Sequence, residues 1–303
     1  MFHPPSLECA PLVKFRRLAV VGVGLIGGSC ALALRRAGCV ERVIGIGRGQ
    51  ANLQRALDAG VIDEIAIDPA SGVEGADAVV LATPVGQFGP LLTAIAGRLA
   101  PDAFITDGGS TKQDVVAAAL AALGDRIAQF VPAHPIAGAE RSGVDAARAD
   151  LFDDRHVILT PLPQTRADCA DRAAALWSAC GARVSSMTPA EHDAVFAAVS
   201  HLPHVLAYAL VAEFAARPDA ERLFDHAAGG FRDFTRIASS SPEMWRDICV
   251  ANRAALLEEL DRYARALVDV RARVAAGDAV ALETLFTAAR DARDAWLQRR
   301  QER

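Results

Sequence analysis

The sequence predicts an α/β chain in two parts, a mainly parallel sheet with helices over residues 17–187 and then an all-α part over 188–303. Three observations carry this reading. Short apolar runs alternate with helical spacing throughout the first part, as strands buried on both faces of a parallel sheet require. The first such run, Leu18 to Val21, meets a Gly22-x-Gly24-x-x-Gly27 turn and then the helix-like stretch Cys30 to Arg36. At Thr188-Pro189-Ala190-Glu191 the pattern changes: Thr as N-cap, Pro at N1 and Glu at N3 make a capping box, and no convincing strand follows.

The glycine turn sits between a readable strand and a readable helix, the context in which it marks a Rossmann-like dinucleotide site. Gly22 allows the tight turn, Gly24 lets backbone approach a pyrophosphate, and Gly27 packs helix on strand. Leu25 and Ile26 belong to the same turn, and the helix's free N–H groups then meet the phosphates. The acid that would accept the adenosine ribose hydroxyl belongs at the end of the second strand, Arg42 to Ile46. That strand ends in Gly47-Arg48-Gly49-Gln50, with no Asp or Glu between Glu41 and Asp58. Without a carboxylate to repel a 2′-phosphate, and with Arg48 placed to pair with one and Arg55 nearby, NADP is the expected cofactor and NAD the alternative. The competing reading of Arg48 is a solvated loop arginine.

Composition narrows the class. A length of 303 residues suits two domains, and a net charge of -5 with no dense Lys/Arg block argues against a nucleic-acid surface. The six cysteines show neither C-x-x-C nor Cys/His ligand spacing, so no disulfide framework and no metal site are expected, and a reducing cytoplasm fits. Leu18 to Leu34 is uncharged but too short and glycine-rich to span a bilayer, and Arg35-Arg36 follows it where a signal peptide would have a cleavage site. A cytoplasmic protein without a membrane segment is therefore expected. Residues 1–16, with Pro4-Pro5 and Pro11, read as a loose arm.

Taken in order, Asn52 to Ala59 has helical spacing and stops at Gly60, before an apolar alternation over Val61 to Ile67. Ala76 to Val85 is a buried strand ended by Pro84, which puts Thr83 and Pro84 at the carboxyl-end crevice where ligands bind. A helix over Phe88 to Leu99, a strand over Ala103 to Thr106, a helix over Asp114 to Leu123 and a strand over Arg126 to Val131 follow. The polar stretches Asp107 to Lys112 and His134 to Arg141 thus leave neighbouring strands, which brings Ser110 and His134 to one sheet edge. His156 lies inside a strand pattern, Arg155 to Leu159, and reads as structural. Helix Asp168 to Cys180 and strand Ala182 to Ser186 complete the first part. Helical patterns then cover Pro189 to Ala216, Ala220 to Ala228, Phe231 to Ala238, Pro242 to Ala275 and Val280 to Arg300, with apolar faces extensive enough for a shared dimer core.

The helix from Pro189 carries His192, Ser200, His201 and His204, with Pro203 kinking it. Its histidines lack a carboxylate at zinc-like spacing, so substrate contact is the better reading. Arg232, Asp233 and Arg236 follow on a later helix, where a solvated charged face is the alternative. As a set, Gly22 to Gly28, His134-Pro-Ile-Ala-Gly138, His192 with Ser200-His-Leu-Pro-His204, and Phe231-Arg-Asp-Phe-Thr-Arg236 resemble the prephenate dehydrogenase family, over about Arg17 to Arg265. The resemblance implies oxidative decarboxylation of prephenate, or of its transaminated form arogenate, in tyrosine biosynthesis by an interlocked helical homodimer. It also implies His134 as catalytic base, Ser110 supporting it by a hydrogen bond, Arg236 and His204 as substrate contacts, and His192 near the site. A related NADP-dependent reductase acting on another hydroxy or imino acid would keep the glycine turn but need not keep His134 with Arg236.

Overall fold

The computed structural model describes residues 14–138 and 143–301. They fall into two compact units, one ending at Arg253 and one beginning at Ala254. Most of the expected N-terminal arm, and Arg141 of the polar stretch after His134, lie outside the described residues.

Six parallel strands form the first sheet in the order β3-β2-β1-β4-β5-β6. They are β1 (Phe15–Val21), β2 (Val40–Ile46), β3 (Glu64–Ala66), β4 (Ala78–Leu81), β5 (Phe104–Asp107) and β6 (Phe130–Val131), connected by α1 (Leu25–Arg36), α2 (Gln50–Asp58), α3 (Pro69–Gly72), α4 (Phe88–Ile95) and α5 (Gln113–Leu123). Period-2 alternation explains why the runs are apolar throughout. Leu18 and Val20 of β1 pack into the core on one face and Ala19 and Val21 into the core on the other. Strand order reverses between β1 and β4, and crevices for ligands open at such switch points.

After Val131 the sheet stops, which differs from the single sheet expected from the sequence. Pro132 has no N–H to continue the ladder. β7 (Ala133–Pro135) instead pairs antiparallel with β8 (His156–Leu159), which pairs parallel with β9 (Arg183–Ser186), a second sheet of three strands. α6 (Ala167–Ala179) connects β8 to β9. The expected strand from Arg126 begins only at Phe130: a 3-10 turn covers Gly124–Gln129, where the Gln129 amide donates to the carbonyls of Ala100 (2.8 Å) and Ala103 (2.6 Å).

The helices that follow begin at the expected capping box, with the Glu191 amide donating to Thr188 Oγ1 and the Thr188 amide to Glu191 Oε2. α7 (Pro189–Phe196) and α8 (Leu202–Ala215) are separated by a π segment, Ala197–His201. Pro203 lacks the amide that an uninterrupted α-helix needs, and the wider turn before it absorbs the mismatch. α9 (Ala220–Asp225), α10 (Gly229–Thr235) and α11 (Pro242–Ala251) complete the unit's helices. The stretch 189–215 is long and apolar enough to cross a membrane by length and composition alone. Its polar residues His192, Asp193 and His201 are nevertheless buried within the unit. The helix expected from Pro242 to Ala275 breaks at Asn252 (φ -100°, ψ 30°). The second unit is formed by most of α12 (Arg253–Ala276) and by α13 (Ala279–Gln301), which turn on Gly277 at φ 62°. It exposes Leu257, Leu267, Val268, Val274, Val280 and Phe286.

Candidate active site

A cavity of about 720 Å³ opens at the carboxyl ends of β1, β2 and β4, the place the switch-point rule assigns to a dinucleotide. Gly22, Gly24, Arg48, Thr83 and Pro84 line it. Gly22 stands at φ +95°, and a Cβ there would come within 2.7 Å of the Ala82 carbonyl. At Gly24, the N-cap of α1, a Cβ would meet nothing within 4 Å, and no side chain caps the helix. An open approach to uncapped amides is what a pyrophosphate requires. Gly27 is buried against β1, where a Cβ would lie 2.8 Å from Val20 Cγ1, so it packs helix on strand. Leu25 and Ile26 pack against the core and do not line the cavity. Among the described residues no carboxylate lines it, and Arg48 is exposed. Arg55 faces Asp145 at 3.3 Å.

The other half of the site is built from buried polar side chains. Lys112 and Asp107 are both fully buried and paired at 2.5 Å across the loop after β5. Burial raises the Asp107 carboxyl above its ordinary value, opposed by Lys112 and by the amides of Gly109 (2.8 Å) and Ala133 (2.9 Å), which all donate to it. Lys112 Nζ also donates to the Ala133 carbonyl at 2.7 Å. The ion pair thus takes both backbone groups of Ala133, the residue before His134, where a neighbouring strand would otherwise do so. In the same loop Gly108 sits between Ile26 and Pro135, close enough that a Cβ would come within 2.9 Å of Ile26. The glycine turn, the Ser110 loop and the His134 strand therefore meet at one edge.

His134 Nδ1 lies 2.8 Å from His192 Nε2, and His192 Nδ1 lies 2.8 Å from Asp193 Oδ1. Both imidazoles pack on Phe196, with ring centroids 4.8 and 4.5 Å away. Burial holds His134 well below the ordinary histidine range, and His192, Lys112 and His201 add to it. Burial also lowers His192, against its hydrogen bond to Asp193. For Asp193 burial opposes the charge, but His192 and the amides of Gln113 and Lys112 outweigh it and hold the carboxyl low. His201, pushed by burial down to about 4, accepts at Nδ1 from the Asn252 side-chain amide at 3.1 Å.

His204 shares Trp245 with His201, whose ring centroid lies 6.0 Å from the indole. It stacks on Trp245 at 3.6 Å, its Nδ1 bonds the Ser200 carbonyl at 2.8 Å, and burial, with the nearby Arg236 cation, keeps its pKa low. Arg236 opens the 3-10 turn Arg236–Ser239. His134, His192, His201, His204 and Arg236 thus form one series of neighbours. Ser110 does not join His134 by a hydrogen bond here; the Nδ1 position is occupied by His192. His192, expected among the substrate contacts, is fully buried with both nitrogens engaged, one layer behind His134. Asp193, Lys112, Asp107 and Asn252 were not singled out by sequence reasoning. The adjacency of Asp193 to His192 was a signal for the first, and the Asp107 to Lys112 loop for the pair.

Comparison with known proteins agrees with this architecture. The family model "Prephenate dehydrogenase, nucleotide-binding domain" matches residues 30–186, and "Prephenate dehydrogenase, dimerization domain" matches 188–288. The prephenate dehydrogenase of Bacillus subtilis is 41% identical over 282 residues, 91% of this chain and 75% of the relative. The cyclohexadienyl dehydrogenase of Zymomonas mobilis is 37% identical over 88% of this chain and 91% of its own. Among solved structures, the Aquifex aeolicus prephenate dehydrogenase in complex with hydroxyphenyl propionate and NAD+ superposes with a TM-score of 0.80 at 36% identity, covering 86% of this chain and 91% of that one. The arogenate dehydrogenase of Synechocystis gives 0.78 at 29% identity, covering 92% and 99%. The glycine turn beside an open helix N-terminus, the histidine series and these likenesses place the chain in the prephenate dehydrogenase family of nicotinamide-dependent dehydrogenases.

Proposed function

We propose that the enzyme oxidatively decarboxylates prephenate to 4-hydroxyphenylpyruvate in tyrosine biosynthesis, as a cytoplasmic homodimer that prefers NADP. The observation that carries this reading is His134: an imidazole kept unprotonated by burial, on a strand pinned beside the glycine turn. A neutral imidazole at that edge can take the proton of a ring hydroxyl near neutral pH. A nicotinamide bound in the cavity would accept the hydride that leaves the ring carbon bearing the hydroxyl. As His134 takes the hydroxyl proton, that carbon, having lost its hydride, becomes a carbonyl; loss of the ring carboxylate as carbon dioxide sends its bonding electrons into the ring, and the oxygen takes up a proton as the phenol of the product. Arg236 pairs with a substrate carboxylate, His204 offers a second polar contact, and Ser110 supports the reacting hydroxyl from the neighbouring loop. We assign substrate binding and dimerisation to residues 188–303 and cofactor binding to 17–187.

For the cofactor, Arg48 in a cavity without carboxylates supports a 2′-phosphate. Arogenate differs from prephenate only in the side chain away from the reacting carbon, so the same machinery serves it. Steady-state kinetics with prephenate and arogenate, each with NADP and NAD, test both choices. The expected order puts prephenate with NADP highest in kcat/KM. Equal or better use of NAD removes the NADP assignment, and turnover of arogenate alone removes prephenate.

A further inference from the structure

His192 is the group for which the reaction as proposed has no direct task. It is completely buried, so no substrate atom reaches it, and both its nitrogens are engaged. The direction of each hydrogen bond follows from its far end. Asp193 accepts the amides of Lys112 and Gln113, both at 2.8 Å, at the start of α5, and is held as a carboxylate. An ionised carboxylate only accepts. The proton on His192 is therefore at Nδ1, which leaves Nε2 as a lone pair. That lone pair can only accept from His134, so His134 carries its proton at Nδ1 and its own lone pair at Nε2.

We propose that Asp193 and His192 are positioning residues that set the tautomer of His134, aim its Nε2 at the substrate hydroxyl and stabilise the imidazolium formed there. The inference rests on His134 as the base. In the step, the substrate O–H bond breaks and an Nε2–H bond forms on His134. The Nδ1 proton stays on His134 and keeps its bond to His192, so no second proton need move. The new positive charge then faces a neutral ring that is polarised by the Asp193 carboxylate behind it. This offsets burial and the Lys112 and His201 groups, which disfavour the imidazolium, as does His192 wherever it carries charge itself. Asp107, paired with Lys112, acts in the same direction as Asp193 on the His192 ring. Asp193 is fixed from three elements: its carboxylate by the Lys112 and Gln113 amides at the start of α5 and by His192 on its own helix α7, and its backbone carbonyl by the Asn252 side-chain amide, which donates to it at 2.8 Å.

Two measurements on the full-length enzyme test this. Nitrogen-15 NMR of the imidazoles in the unaltered, ligand-free protein above pH 7 reports the tautomer without any need for turnover. The expected result is a protonated Nδ1 and a bare Nε2 on both His134 and His192; a proton on Nε2 of His134 overturns the inference. Kinetically, Asp193→Asn replaces the ionised acceptor behind His192 with a neutral amide, which removes the charge that stabilises the imidazolium and fixes the tautomer. It should lower kcat with prephenate by about 10²-fold or more and leave KM for prephenate and cofactor within about 3-fold. If His134→Asn abolishes turnover while Asp193→Asn and His192→Gln remain within about 2-fold of the unaltered enzyme, the base stands and the positioning pair falls. If His134→Asn itself turns over normally, the assignment of the base falls instead.

Discussion

The two halves of the site, which meet at one sheet edge, are made of different materials. The cavity at the glycine turn is lined mostly by backbone and apolar side chains, Gly22, Gly24 and Pro84 among them, with Arg48 as an exposed cation beyond the end of β2. The surroundings of His134 are the reverse: Lys112 pairs with Asp107 and Asp193 holds His192, all buried, and His192 in turn holds the half-buried His134. A site made of backbone depends on shape and tolerates side-chain change, whereas a buried polar network fails if one partner is lost. The chemistry needs both, since phosphates are held by amides and a base must be both dry and oriented.

Breaking the network should have the larger consequence for stability. Lys112→Met removes one member of a buried pair and leaves Asp107 charged, at a cost of about 3–5 kcal/mol, read by urea unfolding. A cost under about 1 kcal/mol would mean the pair behaves like a surface one. Next in size, Arg48→Ala should weaken NADP binding by about 1.5–3 kcal/mol and leave the fold and NAD binding almost unchanged. Equal weakening of both cofactors would place the arginine on the pyrophosphate. The smallest effect separates the halves by pH. His134, His192, His201 and His204 all have folded pKa values below the ordinary 6.5, so the unfolded chain binds more protons as pH falls through that value. Stability is complete above about pH 7 and declines below it, with the His201 contribution lost progressively until about 4. Asp193 is lowered too, so its contribution is lost only further down in acid, whereas the raised Asp107 works against the histidines as pH falls. Thermal midpoints should fall by roughly 5 °C between pH 7 and 4.5; a flat profile would contradict the buried neutral histidines.

The same contrast explains what could be read from the residues alone. The six-stranded sheet and the glycine turn are local patterns, and Leu18 to Gly27 carries strand, turn and helix in one stretch. Thr188 to Glu191 likewise announces its helix through its own side chains. The second sheet is not local: β7 pairs with β8, about twenty residues on, and what separates it from β6 is the missing amide of Pro132. The role of His192 depends on a partner 58 positions away, and that of Asp193 on amides 80 and 81 positions away. No periodicity encodes such pairings. The breaks at the π segment and at Asn252 also follow from tertiary bonding, since the Asn252 side chain holds the Asp193 carbonyl and the His201 ring.

The role of His134 as the base is tested directly by single-turnover formation of reduced cofactor by His134→Asn with prephenate, beside the dissociation constants of both ligands. The substitution keeps a hydrogen-bonding side chain of similar reach and removes the proton acceptor. The account predicts ligand binding close to that of the unaltered enzyme and a rate lower by about 10²- to 10⁴-fold. A folded variant that reduces its cofactor at a near-normal rate would contradict it.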